Sequence, residues 1–558
     1  MGLSHLARFV NQLLSLIIAA TIVIGVSGKS LVYDTRNQYV LIAAEPHHPF
    51  KPPSNQSLSL SNIDYTEALH DLHAAIEVMQ TEYFSLWLGE WTKAIDWTGA
   101  VINTHFIAAL SSLSNSLAYT FPRTPNETSY PDSEAQRLEN EINKYFTHSI
   151  GYYFTEDILS IRNEAFDDML WVVLNWLGSI RFIDSHSKTH YPSSTTVNDA
   201  LEDSNATDWW HARQFVSAFA HRARVFYELA EQGWDETLCG GGMLWNPRLD
   251  PYKNAVTSQL FIAASVEMYL YFPGDNNDSP FSQDRPSPHH RSDMPNLILQ
   301  NKEKYLAAAI RGYEWLRNIN MTNTAGLYVD GYHISNFSAD PVQTTCDERD
   351  EKVYTYNQGI ILSVLRHLFE ATGNYTYLYD GHNLIHNVIR ETGWCNSPEN
   401  PSSSSTNSSN NEREGIGGQL GSSGILTETC DPDSSCTQDS QTFKGIFFHH
   451  YTIFCFPLSP FPEPLEGFRG IPIWHQTSCS GYLPWVLHNA RAAMRSRNQR
   501  GVFGGWWGAS GGGDGDDDDP NERGKGRTVE TMSSGLAALR AAVEGLKEYG
   551  VTDTSVYE

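Results

Sequence analysis

The chain has 558 residues, of which 40% are hydrophobic, so it can bury a large core. Its 38 Lys and Arg residues against 65 Asp and Glu residues give a formal net charge of -27. A surface this acidic repels phosphate backbones and argues against a nucleic-acid partner. Aromatic residues make up 12% of the chain, and Trp and Tyr rings both stack on sugars and fill cores.

The first 28 residues have the pattern of a secretory signal peptide. Arg8 provides a basic start, Leu13 to Ile24 is apolar, and Val26-Ser27-Gly28 fits a cleavage site. An uncleaved signal anchor is the alternative, and no later stretch has the length and apolarity of a membrane span. Glycosylation sequons support export, at Asn55, Asn126, Asn205, Asn277, Asn320, Asn336, Asn374 and Asn407. We predict a secreted, extracellular protein that could associate with a cell wall.

After the signal, helical periodicity dominates the chain. We expect an N-terminal extension at 29–60, a single domain at 61–550, and loose loops near 274–297, 396–424 and 501–528. Apolar residues recur at spacings of three and four, which predicts helices near 65–88, 97–118, 134–147, 164–184, 207–232, 253–272, 298–319, 356–372, 376–391, 441–455, 482–497 and 530–548. About twelve helices with few strands indicate an array of α-hairpins or a closed double ring of helices.

The seven cysteines are an odd number, so at least one has no partner within the chain. Cys430 and Cys436 flank a tight polar turn and are the best candidates for a disulfide. None of the cysteine or histidine spacings is typical of zinc, and the acidic run Asp516–Asp519 lacks the glycine and the final ligand of an EF-hand. We therefore expect neither a metal nor a cofactor.

Four polar and aromatic clusters lie where loops run into predicted helices. They read FDDMLW at 166–171, GGGMLWNPRLDPYKN at 240–254, GLYVDGYH at 326–333 with YNQG at 356–359, and LTETCD at 426–431 with FKG at 443–445. In a closed ring of helices such loops gather at one end and would form a polar, aromatic cleft.

In this order the clusters resemble glycoside hydrolase family 76, the endo-α-1,6-mannanases, over roughly residues 60–550. The resemblance implies an all-α fold, an (α/α)6 toroid. It also implies retaining hydrolysis of α-1,6-mannosidic linkages in mannan, with Asp167 as the nucleophile and Asp168 as the acid/base. The competing interpretation of the two aspartates is that they complement the dipole at a helix start.

The physical chemistry of the pair supports catalysis. Retaining glycosidases need two carboxyl groups ≈ 5–5.5 Å apart, and two nearby, partly desolvated anions raise one pKa so that one group stays protonated. No Lys or Arg follows the pair before Arg181. A neighbouring cation would keep both groups ionised, so its absence from the local sequence favours an acid/nucleophile pair.

Other residues of the four clusters are candidate substrate ligands, each with a structural alternative. Trp171 and Trp245 could stack on sugars or pack in the core, Asn254 could cap a helix, and Lys444 would need an anion if buried. The full candidate set is Trp171, Trp245, Lys253, Asn254, Asp330, Tyr356, Asn357, Gln358 and Lys444.

Three functions compete at this point. The first is a secreted enzyme acting on α-1,6-linked mannan, either hydrolysing it or transferring it to another sugar through the same covalent intermediate. The second is a catalytically silent, carbohydrate-binding cell-wall protein, against which the intact aspartate pair argues. The third is a scaffolding α-toroid, which would not need polar and aromatic loops at one end. The sequence assigns no oligomeric state.

Overall fold

A computed structural model describes residues 29–33, 39–43, 64–117, 133–150, 163–191, 210–275, 294–339, 342–394, 417–458, 471–509 and 519–550. The predicted signal peptide, residues 1–28, lies outside these. Contacts divide the chain into two units, Met1–Ser54 and Asn55–Glu558. In the first unit, β1 (Lys29–Tyr33) pairs antiparallel with β2 (Tyr39–Ala43). Among the described helices none is both long and apolar enough to cross a membrane.

The second unit is helical, and every predicted helix has a counterpart in its described residues. The helices are α1 (Tyr65–Tyr83), α2 (Asp96–Asn115), α3 (Ser133–Ile150), α4 (Phe166–His190), α5 (Val216–Ala230), α6 (Ala255–Tyr271), α7 (Met294–Asn318), α8 (Thr355–Thr372), α9 (Thr376–Glu391), α10 (Phe443–Cys455), α11 (Ile471–Arg495) and α12 (Val529–Tyr549).

The even-numbered helices form a closed inner ring. Each packs against the next, from α2 through α4, α6, α8 and α10 to α12, and α12 packs back on α2. The odd-numbered helices pack outside them, for example α5 on α4 and α7 on α6. This is an (α/α)6 toroid, and it confirms the fold expected from the sequence.

Composition explains which helices are inside. The inner helix α6 is buried at every position from Ala255 to Met268, and all of these residues except Gln259 and Glu267 are apolar or small. The outer helix α9 keeps one apolar stripe, including Leu378, Leu384 and Ile385, and turns charged residues outward. Burial on one face or on all faces therefore assigns each helix to its layer.

Two motif glycines are contact points of the inner ring. A Cβ on Gly359 of α8 would lie 2.4 Å from the Cα of Phe447 on α10. A Cβ on Gly445 of α10 would lie 2.6 Å from the Cα of Ser534 on α12. Backbone cannot yield as a flexible side chain can, so these glycines set the spacing between neighbouring inner helices.

Small sheets and disulfides connect the helices. β5 (Tyr252–Asn254), β6 (Gly331–His333) and β7 (Glu348–Asp350) form an antiparallel sheet, and β8 (Gly417–Gly418), β9 (Gly421–Ser422) and β10 (Ile425–Leu426) form another. The predicted disulfide Cys430–Cys436 is present, together with Cys239–Cys346 and Cys455–Cys479. The seventh cysteine, Cys395, lies outside the described residues.

Four predicted helix boundaries were wrong by five or more residues, one of them the end of α4, at His190 rather than near 184. The first helix ends at Tyr83 rather than near 88, because β3 (Phe84–Ser85) and β4 (Glu90–Trp91) form a hairpin that closes through Gly89 at φ 71°. The fifth begins at Val216, after a 3₁₀ turn, rather than near 207. The eleventh begins at Ile471 rather than near 482 and continues through Pro484, whose ring lies on an exposed face.

Of the three loops expected to be loose, only the ends can be described. Residues 276–293, 396–416 and 510–518 lie outside the described part of the chain.

Gly359→Ala tests the glycine contact. The added methyl meets backbone, so we expect a loss of about 1–3 kcal/mol or more in the free energy of unfolding, measured by urea denaturation. The matched control is Gly178→Ala in α4, where a Cβ meets nothing within 4 Å. We expect that change to stabilise the protein by about 0.5–1 kcal/mol. Equal stabilities of the two variants would contradict the proposed role of Gly359.

Candidate active site

The candidate site lies at the amino ends of the inner helices. Asp167 and Asp168 occupy the first turn of α4, where the helix dipole favours negative charge. The side chain of Asp167 is buried and that of Asp168 is half-buried. One oxygen of Asp168 accepts a hydrogen bond from the main-chain N–H of Ala165, at 3.2 Å. Both aspartates therefore lie where they can complement the helix dipole, as the alternative interpretation of the sequence proposed. That interpretation does not explain why Asp167 is buried.

Asp167 is a buried carboxyl group with two N–H donors. The indole Nε1 of Trp245 donates to Oδ2 at 3.1 Å, and the main-chain N of Asp168 donates to Oδ1 at 3.2 Å. Burial, and next the charge of Asp168, raise the pKa of Asp167 well above its ordinary value, while its own main-chain N–H and these two donors oppose that rise. Asp167 therefore keeps its proton to a higher pH than an isolated aspartic acid does.

Trp245 is positioned by a glycine-rich loop that Lys253 holds together. The ammonium group of Lys253 is fully buried and donates to the main-chain oxygens of Asp235, at 2.9 Å, and Gly242, at 2.6 Å. Burial lowers its pKa to about 8. A Cβ on Gly242 would lie 2.5 Å from the Trp315 ring, so the loop needs glycine there. These contacts favour a structural role for Lys253 over the predicted role as a substrate ligand.

Asp330 approaches the pair from the sheet formed by β5, β6 and β7. It immediately precedes β6, and its carboxyl accepts a hydrogen bond from the hydroxyl of Tyr252 at 2.5 Å. The Tyr252 ring stacks on His333 at 3.9 Å between centroids and meets Trp245 edge-on. Burial raises the pKa of Asp330. A third carboxyl and three aromatic rings therefore stand near the aspartate pair.

The motif at the start of α8 divides its three polar residues between two roles. Tyr356 stacks on Phe443 at 4.0 Å, and its pKa is raised by burial and then by the charges of Asp330 and Asp167, which places its hydroxyl near both. The amide of Asn357 interacts with Asp330 and lowers that residue's pKa.

Gln358 faces away from that cluster. It accepts from the main-chain N of Tyr328 at 2.8 Å and donates to the carbonyls of Tyr328 and Tyr354 at 2.9 Å each. Its amide is fully used in joining the loop before β6 to α8, so its contacts favour a structural role over the predicted contact with sugar.

Trp171 lies one turn deeper than the aspartates. Its ring stacks on Trp97 at 5.9 Å, and the Trp97 indole donates to Asp439 at 2.9 Å. Trp171 is 4% exposed and lines a cavity of about 250 Å³ inside the ring. Trp171 lies beneath the aspartate pair. Its burial favours packing in the core over stacking on a sugar.

Two further candidates are occupied by structural contacts. Asn254 caps α6 by accepting from the main-chain N of Thr257 at 3.1 Å, as the capping alternative foresaw. Lys444 forms a buried ion pair with Asp431 at 2.5 Å, which supplies the anion that its burial required. The Asp431 carboxyl also accepts from the main-chain N of Glu428, at 2.9 Å.

Sequence reasoning missed several residues of this region. Tyr252 and Phe443 line it, and each adjoins a residue that was selected. Glu428 is part of the LTETCD motif but was not singled out. Its carboxylate accepts from both the main-chain N and the hydroxyl of Thr355, and burial, opposed first by Lys444, raises its pKa to about 7. The available signal was its place in a selected motif, two residues before Cys430.

Among the described residues, one group has the geometry of a metal site. Ligand atoms of His382, His475 and Cys479 lie within 4.8 Å of one another. Cys479, however, is bonded to Cys455 in a disulfide, so its sulfur is not a thiolate. This group lies between outer helices and is separate from the aspartate pair.

Comparison with known families supports the assignment made from the sequence. Residues 297–461 match the model of Glycosyl hydrolase family 76, a range that contains the motifs at 326–333, 356–359, 426–431 and 443–445. The expected resemblance to this family is thereby confirmed. None of the curated proteins matches the sequence significantly.

Solved structures share the fold at low sequence identity. One is a variant of the GH76A α-1,6-mannanase of Salegentibacter sp., inactive through replacement of two adjacent aspartates and bound to an α-1,6-mannotetraose. It is 16% identical, covers 86% of this chain and 99% of its own, and has a TM-score of 0.50. Another is Dfg5 of Chaetomium thermophilum in complex with glucosamine, 13% identical, covering 88% and 92%, with a TM-score of 0.51.

The pKa of Glu428 predicts part of the pH dependence of stability. A carboxyl whose pKa rises from 4.5 to about 7 on folding adds stability that is fully present below its unfolded pKa and is lost as pH rises through about 7. Glu428→Gln keeps an acceptor for Thr355 and removes this titration. We expect its free energy of unfolding to fall less than that of the parent between about pH 5 and about pH 8, by up to about 3 kcal/mol.

Urea denaturation across that range measures the difference. Glu351→Gln, at a side chain 64% exposed, is the control and should leave the slope unchanged. Identical pH slopes for the parent and Glu428→Gln would show that Glu428 does not titrate as its burial indicates.

Proposed function

We propose that this protein is an exported, retaining glycoside hydrolase that cleaves α-1,6-mannosidic linkages of mannan. The observation that carries the proposal is the adjacent pair Asp167 and Asp168 at the start of an inner helix, one buried and both bonded to N–H donors, among aromatic rings and a third carboxyl. The family match and the substrate of the mannanase relative support the sugar class. The leader sequence and the sequons support export.

The roles within the pair follow the resemblance: Asp167 as the nucleophile and Asp168 as the acid/base. The two N–H donors support Asp167 as the carboxylate, because they stabilise its anion and aim it. Asp168 is half-buried, so it can reach both a leaving oxygen and an incoming water. Burial acts the other way and favours a protonated Asp167 before sugar binds. The leaving-group experiment below discriminates between the two assignments.

The surrounding residues would bind and orient the sugar. Trp245 has a half-buried ring beside Asp167, and Tyr252, Asp330 and Tyr356 add hydroxyl and carboxyl groups next to it. A carboxylate such as Asp330 can accept two sugar hydroxyls at once. After attack by Asp167 on the anomeric carbon, the leaving oxygen takes the proton of Asp168. Water, or a sugar hydroxyl in a transfer reaction, then displaces the enzyme oxygen with Asp168 as base.

Linear α-1,6-mannan is the direct test of this activity. The parent protein should shorten it to oligosaccharides resolved by chromatography. When a second mannose oligosaccharide is added as acceptor, longer products would reveal transfer. If the polymer is bound but stays intact, the protein is a silent carbohydrate-binding protein, and the proposal fails.

Asn substitutions distinguish the proposed roles of Asp167 and Asp168. Asp167→Asn removes the nucleophile, so substrates with fluoride or dinitrophenolate leaving groups should also react very slowly. Asp168→Asn removes the acid, which such leaving groups hardly need, so the first step should partly survive. Azide, which needs no base, should then restore turnover and give a product of retained configuration. The reverse pattern would assign the roles the other way.

The matched control is Asp184→Asn on the same helix, whose carboxyl is 47% exposed and pairs with Lys188. It should stay near the parental kcat/KM. A loss of less than about tenfold in both Asn variants, about 1.4 kcal/mol of transition-state stabilisation, would mean that the pair is only a helix start.

A further inference from the structure

The hairpin between α1 and α2 exposes three consecutive large apolar side chains. Leu86 is 74% exposed, Trp87 is 87% exposed and Leu88 is 66% exposed. They form the tip of the loop that joins β3 and β4, and no charged residue interrupts them. Burying such side chains is worth about 1.5–3 kcal/mol each, so leaving all three in water is a cost that folding alone does not explain.

The base of the hairpin is rigidly held, so the tip is presented in one conformation. Phe84 stacks on His148 at 4.6 Å. Trp91 is 3% exposed, and its indole donates to Gln80 at 3.0 Å. The N–H of Gly89 closes the loop on the carbonyl of Ser85 at 2.8 Å. A preorganised tip can insert into a partner without first paying an ordering entropy.

The hairpin stands on the same end of the ring as the aspartate pair. It leads directly into the amino end of α2, and the carbonyl of Lys93 accepts from Gln438 at 2.6 Å, just before α10. Trp97, on the first turn of α2, reaches Asp439 and stacks on Trp171 below the pair. Whatever binds the tip therefore lies on the catalytic face.

From these features we propose that Leu86, Trp87 and Leu88 dock the protein on the interface of a lipid bilayer of net-neutral headgroups. Trp favours the headgroup level and Leu the acyl region, which is the composition of this tip. The net charge of -27 opposes anionic surfaces. The docked orientation turns the candidate active site toward the membrane surface.

Two other partners fit the tip less well. Sugar platforms combine an aromatic face with hydrogen-bonding groups, whereas both neighbours of Trp87 are leucines. A second copy of the chain or another protein would bury about 800 Å² per partner in a stable interface, more than three side chains on one short hairpin supply. The experiment below distinguishes sugar binding and protein association from membrane docking.

Vesicle sedimentation with the full secreted chain tests the proposal. The parent should bind phosphatidylcholine vesicles, insensitively to added salt, and less well when anionic lipid is included. The combined variant Leu86→Ser, Trp87→Ser and Leu88→Ser should lower the partition coefficient about tenfold or more while its thermal unfolding stays parental. Its turnover of short soluble substrates should also be unchanged.

Ile473→Ser is the matched control, because Ile473 is 67% exposed and lies in the first turn of α11, at the opposite end of the ring. It should bind vesicles as the parent does. Trp87→Phe keeps the apolar area, so binding should persist while quenching of tryptophan fluorescence by bromine-labelled acyl chains falls. Unchanged quenching would place another tryptophan in the bilayer and overturn the assignment.

Several results would reject membrane docking. One is a parent protein that does not sediment with neutral vesicles, and another is a triple variant that binds them equally well. A triple variant with raised KM on long mannan alone would identify a sugar platform instead. Concentration-dependent dimers that the triple variant abolishes would identify a second copy as the partner.

Discussion

The site depends on burying one of two adjacent carboxyl groups without a cation to neutralise it. Among the described residues, the neighbours that shift the pKa of Asp167 are Asp168 and N–H donors, and no Lys or Arg is among them. The nearby cations are engaged elsewhere: Lys444 pairs with Asp431, and Lys253 is bonded to main-chain carbonyls. A free ammonium group near the pair would favour the ionised form of the carboxyls and lower the pKa of Asp167. Lys444 and Lys253 therefore leave the pKa of Asp167 raised, because their ammonium groups are bonded to other partners.

The ring makes this burial possible. Six inner helices start at one end, so their amino-terminal dipoles converge where negative charge is concentrated. Convergence requires close helix spacing, which Gly359 and Gly445 provide at backbone-to-backbone contacts. The motifs YNQG and FKG, which place Tyr356 and Phe443 in the site region, thus also carry the glycines that set the spacing of these helices.

Periodicity was enough to predict the twelve helices, but it left an array of α-hairpins and a closed ring both open, and the ring was expected from the family resemblance. Periodicity could not predict which polar residues of a motif face the cleft. In β5 the side chains alternate, so Tyr252 turns toward Asp330 while Lys253 turns to the loop carbonyls. On the first turn of α8 successive side chains diverge by about 100°, and Gln358 leaves the cluster that Tyr356 joins. A sequence motif therefore locates the region of the site, and the direction of each side chain from the backbone decides which of its residues face the cleft.

Burial and charge also explain why Glu428 escaped attention. A glutamate in a cysteine turn reads as a surface residue, yet here it is 2% exposed and receives two hydrogen bonds from Thr355. It lies beside the Lys444–Asp431 pair, where Lys444 lowers the pKa of Glu428 more than Asp431 raises it, so burial is what raises that pKa. This second acidic cluster connects the start of α8 to the start of α10. The amino end of the ring therefore holds two groups of carboxyls. One is neutralised by a lysine and joins the helices. The other contains Asp167, whose pKa is raised by burial and then by the charge of Asp168.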